Sequence, residues 1–203
     1  MLKQQYKSIT LKVLGLFFIL ISIIAITYAI FNGKLYQLFW ICYIAILLIG
    51  IGILTNNSYL IITQINILFI PLIIWNIDFS YLITTKTPLW GITDYFFVWQ
   101  NSAIGKFISL QHVYTIPLAL LALYFIKIKR KDTWKISLLE ITLIFILTKI
   151  FTAEQQNINC VFNSCIPLNT HLPYNFTWFI CFFIIILFTN FIINLLPFLK
   201  DKY

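Results

Sequence analysis

Three ionisable side chains follow one another closely in a chain that is otherwise mostly Ile, Leu and Phe: Asp78, Asp94 and His112. A carboxylate beside an imidazole suits general base catalysis, because the acid orients the ring that takes the proton. We predict that Asp78 or Asp94 orients His112 as the base. The alternative is that His112 only packs within its helix. A metal held by these three groups is a variant of the same site, but we assign no metal ligands and no cofactor.

Neutral polar side chains accompany these groups and are suited to binding a substrate by hydrogen bonds. We predict that they line the same site. They are Trp75, Asn76, Ser109, Asn157 and Asn159.

The cysteines fall into two kinds. Cys160 and Cys165 share a polar loop over residues 153–173 and could form a disulfide, since the outer face of a bacterial membrane is oxidising. A zinc site is the weaker alternative, because the spacing matches no zinc pattern. Cys42 and Cys181 lie inside apolar runs, where we expect them to pack as small hydrophobic residues.

The composition identifies the solvent around most side chains. Of 203 residues, 61% are hydrophobic and only 10% are charged. A soluble domain of this length cannot hide so much apolar surface. The chain is therefore predicted to be an all-α, polytopic membrane helix bundle that forms a single transmembrane domain, with the lipid bilayer as its partner.

The apolar runs predict about six transmembrane helices, each able to cross ~30 Å of hydrocarbon at about 1.5 Å per residue. A segment over 89–100 is too short and too mixed to span, so we expect it to be interfacial or re-entrant. The predicted spans are 13–31, 35–54, 59–82, 104–128, 136–152 and 174–196.

The net charge of +8 is explained by topology rather than by nucleic-acid binding, because no basic helix or aromatic–basic sheet pattern is present. Lys and Arg are retained on the cytoplasmic side of an inserted chain. With both termini in the cytoplasm, six spans place most basic residues inside, and we expect the protein in the bacterial cytoplasmic (inner) membrane. The inside residues are Lys3, Lys7, Lys12, Lys127, Lys129, Arg130, Lys131, Lys135, Lys200 and Lys202.

Several polar residues fall within the spans. Steps of 100° per residue place four residues on one face of the third span, so this face should point at other helices. They are Gln64, Pro71, Trp75 and Asp78. Gln64 and Asn66 are expected to hydrogen-bond between helices. Glu140 is expected to pair with Lys135 or Arg130 of the nearby basic cluster.

Four short motifs resemble those of a family of uncharacterised bacterial multi-pass membrane proteins, over about residues 75–197. They are Trp75-x-x-Asp78-Phe79, Gly91-x-Thr93-Asp94-Tyr95-x-Phe97, Ser109-Leu110-x-His112 and Asn157-Ile158-Asn159-x-Val161-Phe162. The resemblance implies an integral protein of the cell envelope and carries over no activity. This chain departs from the family pattern at Cys160, where the pattern has Trp, and at Cys165.

Three functions are consistent with these patterns. The first is a small enzyme acting at the outer membrane face on a lipid or an amphipathic metabolite. The second is a non-catalytic binding or assembly subunit with a membrane-protein partner. The third is a carrier for protons or a small solute, which ranks last because the chain shows one interrupted helix and no second half. No hydrolase, zinc-protease, P-loop or dinucleotide motif is present.

Overall fold

The computed structural model describes residues 2–97, 102–167 and 171–200, and these form helices, short turns and loops without a strand. The predicted all-α class is confirmed. The helices are α1 (Leu2–Phe31), α2 (Ile41–Leu54), α3 (Ser58–Thr85), α4 (Ala103–Ser109), α5 (Gln111–Ile126), α6 (Trp134–Phe151) and α7 (Tyr174–Leu195).

Four helical stretches are long and apolar enough to cross a membrane: Gln4–Phe31, Ser58–Thr85, Ala103–Ile126 and Tyr174–Leu195. They correspond to the first, third, fourth and sixth predicted spans. The second predicted span consists of a 3-10 turn (Leu35–Phe39) followed by α2, which has only 14 residues. The fifth corresponds to α6, whose apolar sequence includes Lys135, Glu140 and Lys149.

The ends of some helices differ from the predicted bounds, because capping residues determine where these helices begin and end. Helix α3 begins after Asn57, whose side-chain oxygen accepts a hydrogen bond from the backbone N–H of Leu60. It ends at Lys86, which takes a left-handed conformation at φ 62°. The predicted fourth span is divided at Leu110 into α4 and α5. In the predicted interfacial segment, Asp94–Phe96 forms a 3-10 turn, and residues 98–100 lie outside the described residues.

Contacts between helix ends place the connections at two ends of the bundle, from which it follows that successive long helices alternate in direction. At the basic end, the guanidinium of Arg130 lies 4.5 Å from the ring centre of Tyr59, and Ile128 pairs with Lys200. At the opposite end, which we call the disulfide end, Ser102 donates a hydrogen bond to the hydroxyl of Tyr28.

Helix α3 is central and packs on α2, α5, α6 and α7. Its predicted inward face is confirmed at Gln64, Trp75 and Asp78, which are all buried, and Pro71 on the same face is half-buried. Asn66 links three helices: its amide nitrogen lies 3.2 Å from Thr133 Oγ1 on the α6 cap and 3.4 Å from Asn190 Oδ1 on α7. These bonds fix the positions of α6 and α7 against α3.

Glu140 does not pair with the basic cluster, so that expectation is wrong. Its Oε2 accepts a hydrogen bond from Gln64 Nε2 at 2.7 Å. Arg130 instead pairs with Asp132 at 2.9 Å, the one ion pair among the described residues, and hydrogen bonding by this guanidinium lowers the pKa of the half-buried Asp132. Glu140 contacts Gln64 of α3, whereas Arg130 lies in the loop before α6 and Lys135 in the first turn of α6.

Candidate functional site

A half-open cavity of about 250 Å³ lies at the disulfide end, lined by residues of α2, α3, α5 and α7 and by the loop that carries Cys160 and Cys165. The described residues that line it include no Asp, Glu, Lys or Arg. Aromatic side chains form much of its wall: Trp40, Trp75, Tyr174, Trp178 and Phe182.

His112 contributes a half-buried imidazole to this wall, near the start of α5. Its Nδ1 lies 2.7 Å from the carbonyl oxygen of Ser109. A carbonyl oxygen can only accept a hydrogen bond, so we assign the ring proton to Nδ1. Nε2 then carries a lone pair, and no described residue hydrogen-bonds to it. The ring can therefore accept a hydrogen bond from a ligand through Nε2.

The imidazole is held by stacking as well as by this hydrogen bond. Its centroid lies 4.6 Å from that of Trp75, with 21° between the planes, and Trp75 stacks in turn on Phe79. Asn76 Nδ2 donates to the backbone carbonyl of His112 at 2.8 Å. These contacts join α3 to α5 at the site.

An open groove of about 660 Å³ runs on the outer surface between α3 and α5. Its lining is mostly apolar, and Asn76 and Ser80 add polar groups. Leu72 and His112 line both this groove and the inner cavity. His112 therefore stands between the outside of the bundle and its interior.

Tyr95 adds a phenol beside this stack. Its oxygen accepts a hydrogen bond from Trp75 Nε1 at 3.2 Å, and its hydroxyl also hydrogen-bonds with Ser109. Burial raises the pKa of Tyr95, an effect that these hydrogen bonds oppose. The phenol is thus neutral near pH 7, and its hydrogen bond to Ser109 helps to hold the segment that leads into α5.

Neither predicted acid meets His112. Both oxygens of Asp78 accept hydrogen bonds from the following loop, from Trp90 N at 2.7 Å and from Thr93 N at 2.8 Å. Asp94 lies exposed in that loop. The expected pairing of an acid with His112 is corrected accordingly, because Ser109 and Trp75 orient the ring. No group of three or more His, Cys, Asp or Glu suited to a metal occurs among the described residues.

The two predicted loop amides have different positions. Asn159 lines the cavity, accepts a hydrogen bond from Ile41 N at 3.0 Å and donates to Phe39 O at 2.7 Å. Asn157 holds the loop itself: its Oδ1 accepts from the backbone N–H groups of Phe162 and Asn163. Asn159 is therefore part of the cavity wall, and its side chain is hydrogen-bonded to the backbone at the start of α2. Asn157 supports the loop from outside the cavity.

Cys160 and Cys165 form a disulfide, with their Cα atoms 5.7 Å apart. The structure thus brings Trp75, His112, Asn159 and both loop cysteines to one cavity, with Asn76 and Ser109 adjoining. Sequence patterns missed Tyr95, Trp178, Cys42 and Cys181 as members of this neighbourhood. Cys42, Trp178 and Cys181 lie in apolar runs and Tyr95 lies among other aromatic residues, so their sequence context provides no signal for them. Only the packing of distant helices brings them together.

No protein-family model matches the chain, and neither the curated proteins nor the solved structures contain a significant match to it.

Proposed function

We propose that the chain is a multi-pass protein of the cytoplasmic membrane with six crossings and both termini in the cytoplasm. The four long apolar helices support membrane association. The alternation of helix directions supports six crossings, with α2 and α6 completing the set. The basic end, with Lys127 and Arg130, fits the cytoplasmic side, since Lys and Arg are retained there.

The bundle's outer surface supports lipid as its surroundings. Large apolar side chains stand exposed on α1, α6 and α7, and a single soluble chain rarely shows so much contiguous apolar surface. Among them are Phe31 (85% exposed), Ile150 (66%), Phe176 (65%) and Phe191 (61%).

We infer that the cavity takes the polar head of an uncharged amphiphile, with His112 acting on it as a base. The observation that carries this proposal is the position of His112, which lines both the outer groove and the inner cavity. Its Nε2 lone pair suits a ligand hydroxyl. An anionic head group would be buried without a cation, which costs several kcal/mol.

The sizes of the two spaces fit a ligand of this shape. The cavity, at about 250 Å³, is slightly smaller than the ~300–1,000 Å³ usual for drug-sized ligands, so it holds a head group rather than a whole lipid. The groove between α3 and α5 would hold the attached chain, because it is apolar and opens to the outside of the bundle.

The test is quenching of tryptophan fluorescence by brominated lipids in nanodiscs, since Trp75 and Trp178 line the cavity. We expect saturable quenching by a brominated monoacylglycerol and none by brominated phosphatidylglycerol. His112→Phe should weaken binding about tenfold, the value of one hydrogen bond of ~1.4 kcal/mol. His171→Phe, in the exposed loop, is the matched control.

Equal quenching by both lipids, or unchanged affinity in His112→Phe, would contradict this proposal. A stoichiometric protein partner that co-purifies, together with no saturable quenching, would instead support the non-catalytic assembly subunit.

A further inference from the structure

All four cysteines of the chain line the same cavity. Cys160 and Cys165 form the disulfide in its covering loop, whereas Cys42, at the start of α2, and Cys181, in α7, are free thiols. Three separate segments of the sequence bring sulfur to one space of about 250 Å³. Packing alone would not require this convergence.

The disulfide is held at the cavity by a constrained backbone. Asn159 and Cys160 both have φ 55°, in the left-handed region that costs a residue with a side chain about 1 kcal/mol or more. Trp178 Nε1 donates to the carbonyl of Asn159, and the hydroxyl of Tyr174 donates to that of Cys160. Two aromatic residues of α7 thus fix the loop, and both disulfide cysteines remain half-buried rather than sealed.

We propose that Cys160 and Cys165 are a redox-active pair, and that a quinone bound in the cavity oxidises their dithiol form. This inference rests on the proposed function, because it uses the same cavity and His112 and names the amphiphile. A quinone is uncharged, soluble in the bilayer and planar, so it fits an aromatic cavity without ionic groups. Its oxygens only accept hydrogen bonds, and the hydroquinone formed from it offers the hydroxyl that His112 Nε2 accepts. The same lining disfavours glutathione and nucleotide cofactors, which are charged.

The dithiol of Cys160 and Cys165 is oxidised, and the quinone is reduced by the same two electrons and two protons. A sulfur–sulfur bond forms between Cys160 and Cys165, and two electrons and the two thiol protons pass to the quinone, which leaves as hydroquinone. His112 Nε2 accepts a thiol proton and returns it to a quinone oxygen, since the thiolate is the reactive form. An external dithiol then reduces the disulfide by exchange and is itself oxidised.

The experiment uses the full-length protein in nanodiscs, reduced with dithiothreitol, freed of reductant and kept without oxygen. Decylubiquinone is then added. Free thiols are alkylated and mapped by mass spectrometry, and hydroquinone is followed by its absorbance. We expect the thiols of Cys160 and Cys165 to disappear with one hydroquinone formed per disulfide. His112→Gln should slow this reaction about 10²-fold, and His171→Gln should not.

Diamide, a general thiol oxidant, checks that the two thiols of each reduced variant are accessible and can still form the disulfide. If diamide restores the bond but decylubiquinone leaves both thiols free, the redox proposal is overturned. Saturable quenching of tryptophan fluorescence by the quinone in that case would leave the binding proposal standing. No quenching and no thiol loss would defeat both.

Discussion

Asp78 holds Thr93 by two hydrogen bonds to one carboxylate oxygen, from the backbone N–H at 2.8 Å and from the hydroxyl at 2.6 Å. The other oxygen accepts from Trp90 N. The acid that the sequence marked as a catalytic candidate therefore fixes the segment after α3. That segment in turn places Tyr95 against Trp75, which stacks on His112.

Asp78→Asn should loosen this segment, because an amide offers one acceptor oxygen where the carboxylate uses two. Hydrogen bonds to a charged acceptor are worth about 1.5–3 kcal/mol each, so we expect a loss of roughly 2–3 kcal/mol of stability. Thermal unfolding and proteolysis near residues 86–97 measure it. Asp94→Asn, at an exposed position, should stay within about 0.5 kcal/mol of wild type. Equal effects of the two changes would contradict the assignment.

Glu140→Leu should destabilise the bundle by about 1–3 kcal/mol, because it leaves the buried amide of Gln64 without its partner. The double change Gln64→Leu with Glu140→Leu removes both polar groups and should recover much of that loss. A double-mutant cycle on unfolding free energies should give a coupling of about 1 kcal/mol. Strictly additive single effects would show that this contact stabilises nothing.

Asn159→Ala should open the cavity wall at the disulfide end. It removes the hydrogen bonds to Ile41 N and Phe39 O, and alanine is also strained at φ 55°. We expect a loss of about 2–4 kcal/mol. Asn159→Gly separates the two causes, since glycine accepts this φ without strain and loses only the side-chain bonds. Measured stabilities should rank wild type first, glycine second and alanine last.

Single-cysteine labelling tests the orientation of the bundle. A maleimide that cannot cross membranes should label Asn163→Cys, exposed at the disulfide end, in spheroplasts whose outer face is accessible. Lys129→Cys, in the basic segment 127–131, should be labelled only after lysis. Both variants are made in a background in which the two free native thiols, Cys42 and Cys181, are replaced by Ala. Labelling of Lys129→Cys without lysis would reverse the proposed topology.

The sequence by itself determined the helical class and the inward face of α3. Apolar runs and a 100° repeat depend only on residue type and spacing, so burial of Gln64, Trp75 and Asp78 followed from them. One group of site residues could also be predicted from the sequence, because its members lie within two neighbouring helical segments. They are Trp75, Asn76, Ser109 and His112.

Only the tertiary structure decided how these groups are used. Asp78 bonds to a loop and Glu140 to Gln64, because a hydrogen bond depends on side-chain positions within a few tenths of an ångström. The presence of Cys42 and Cys181 in the wall of one cavity was equally hidden, since 139 positions separate them in the sequence. The type of a residue determines which hydrogen bonds its side chain can form. The packing of the chain determines which partner lies close enough to form them.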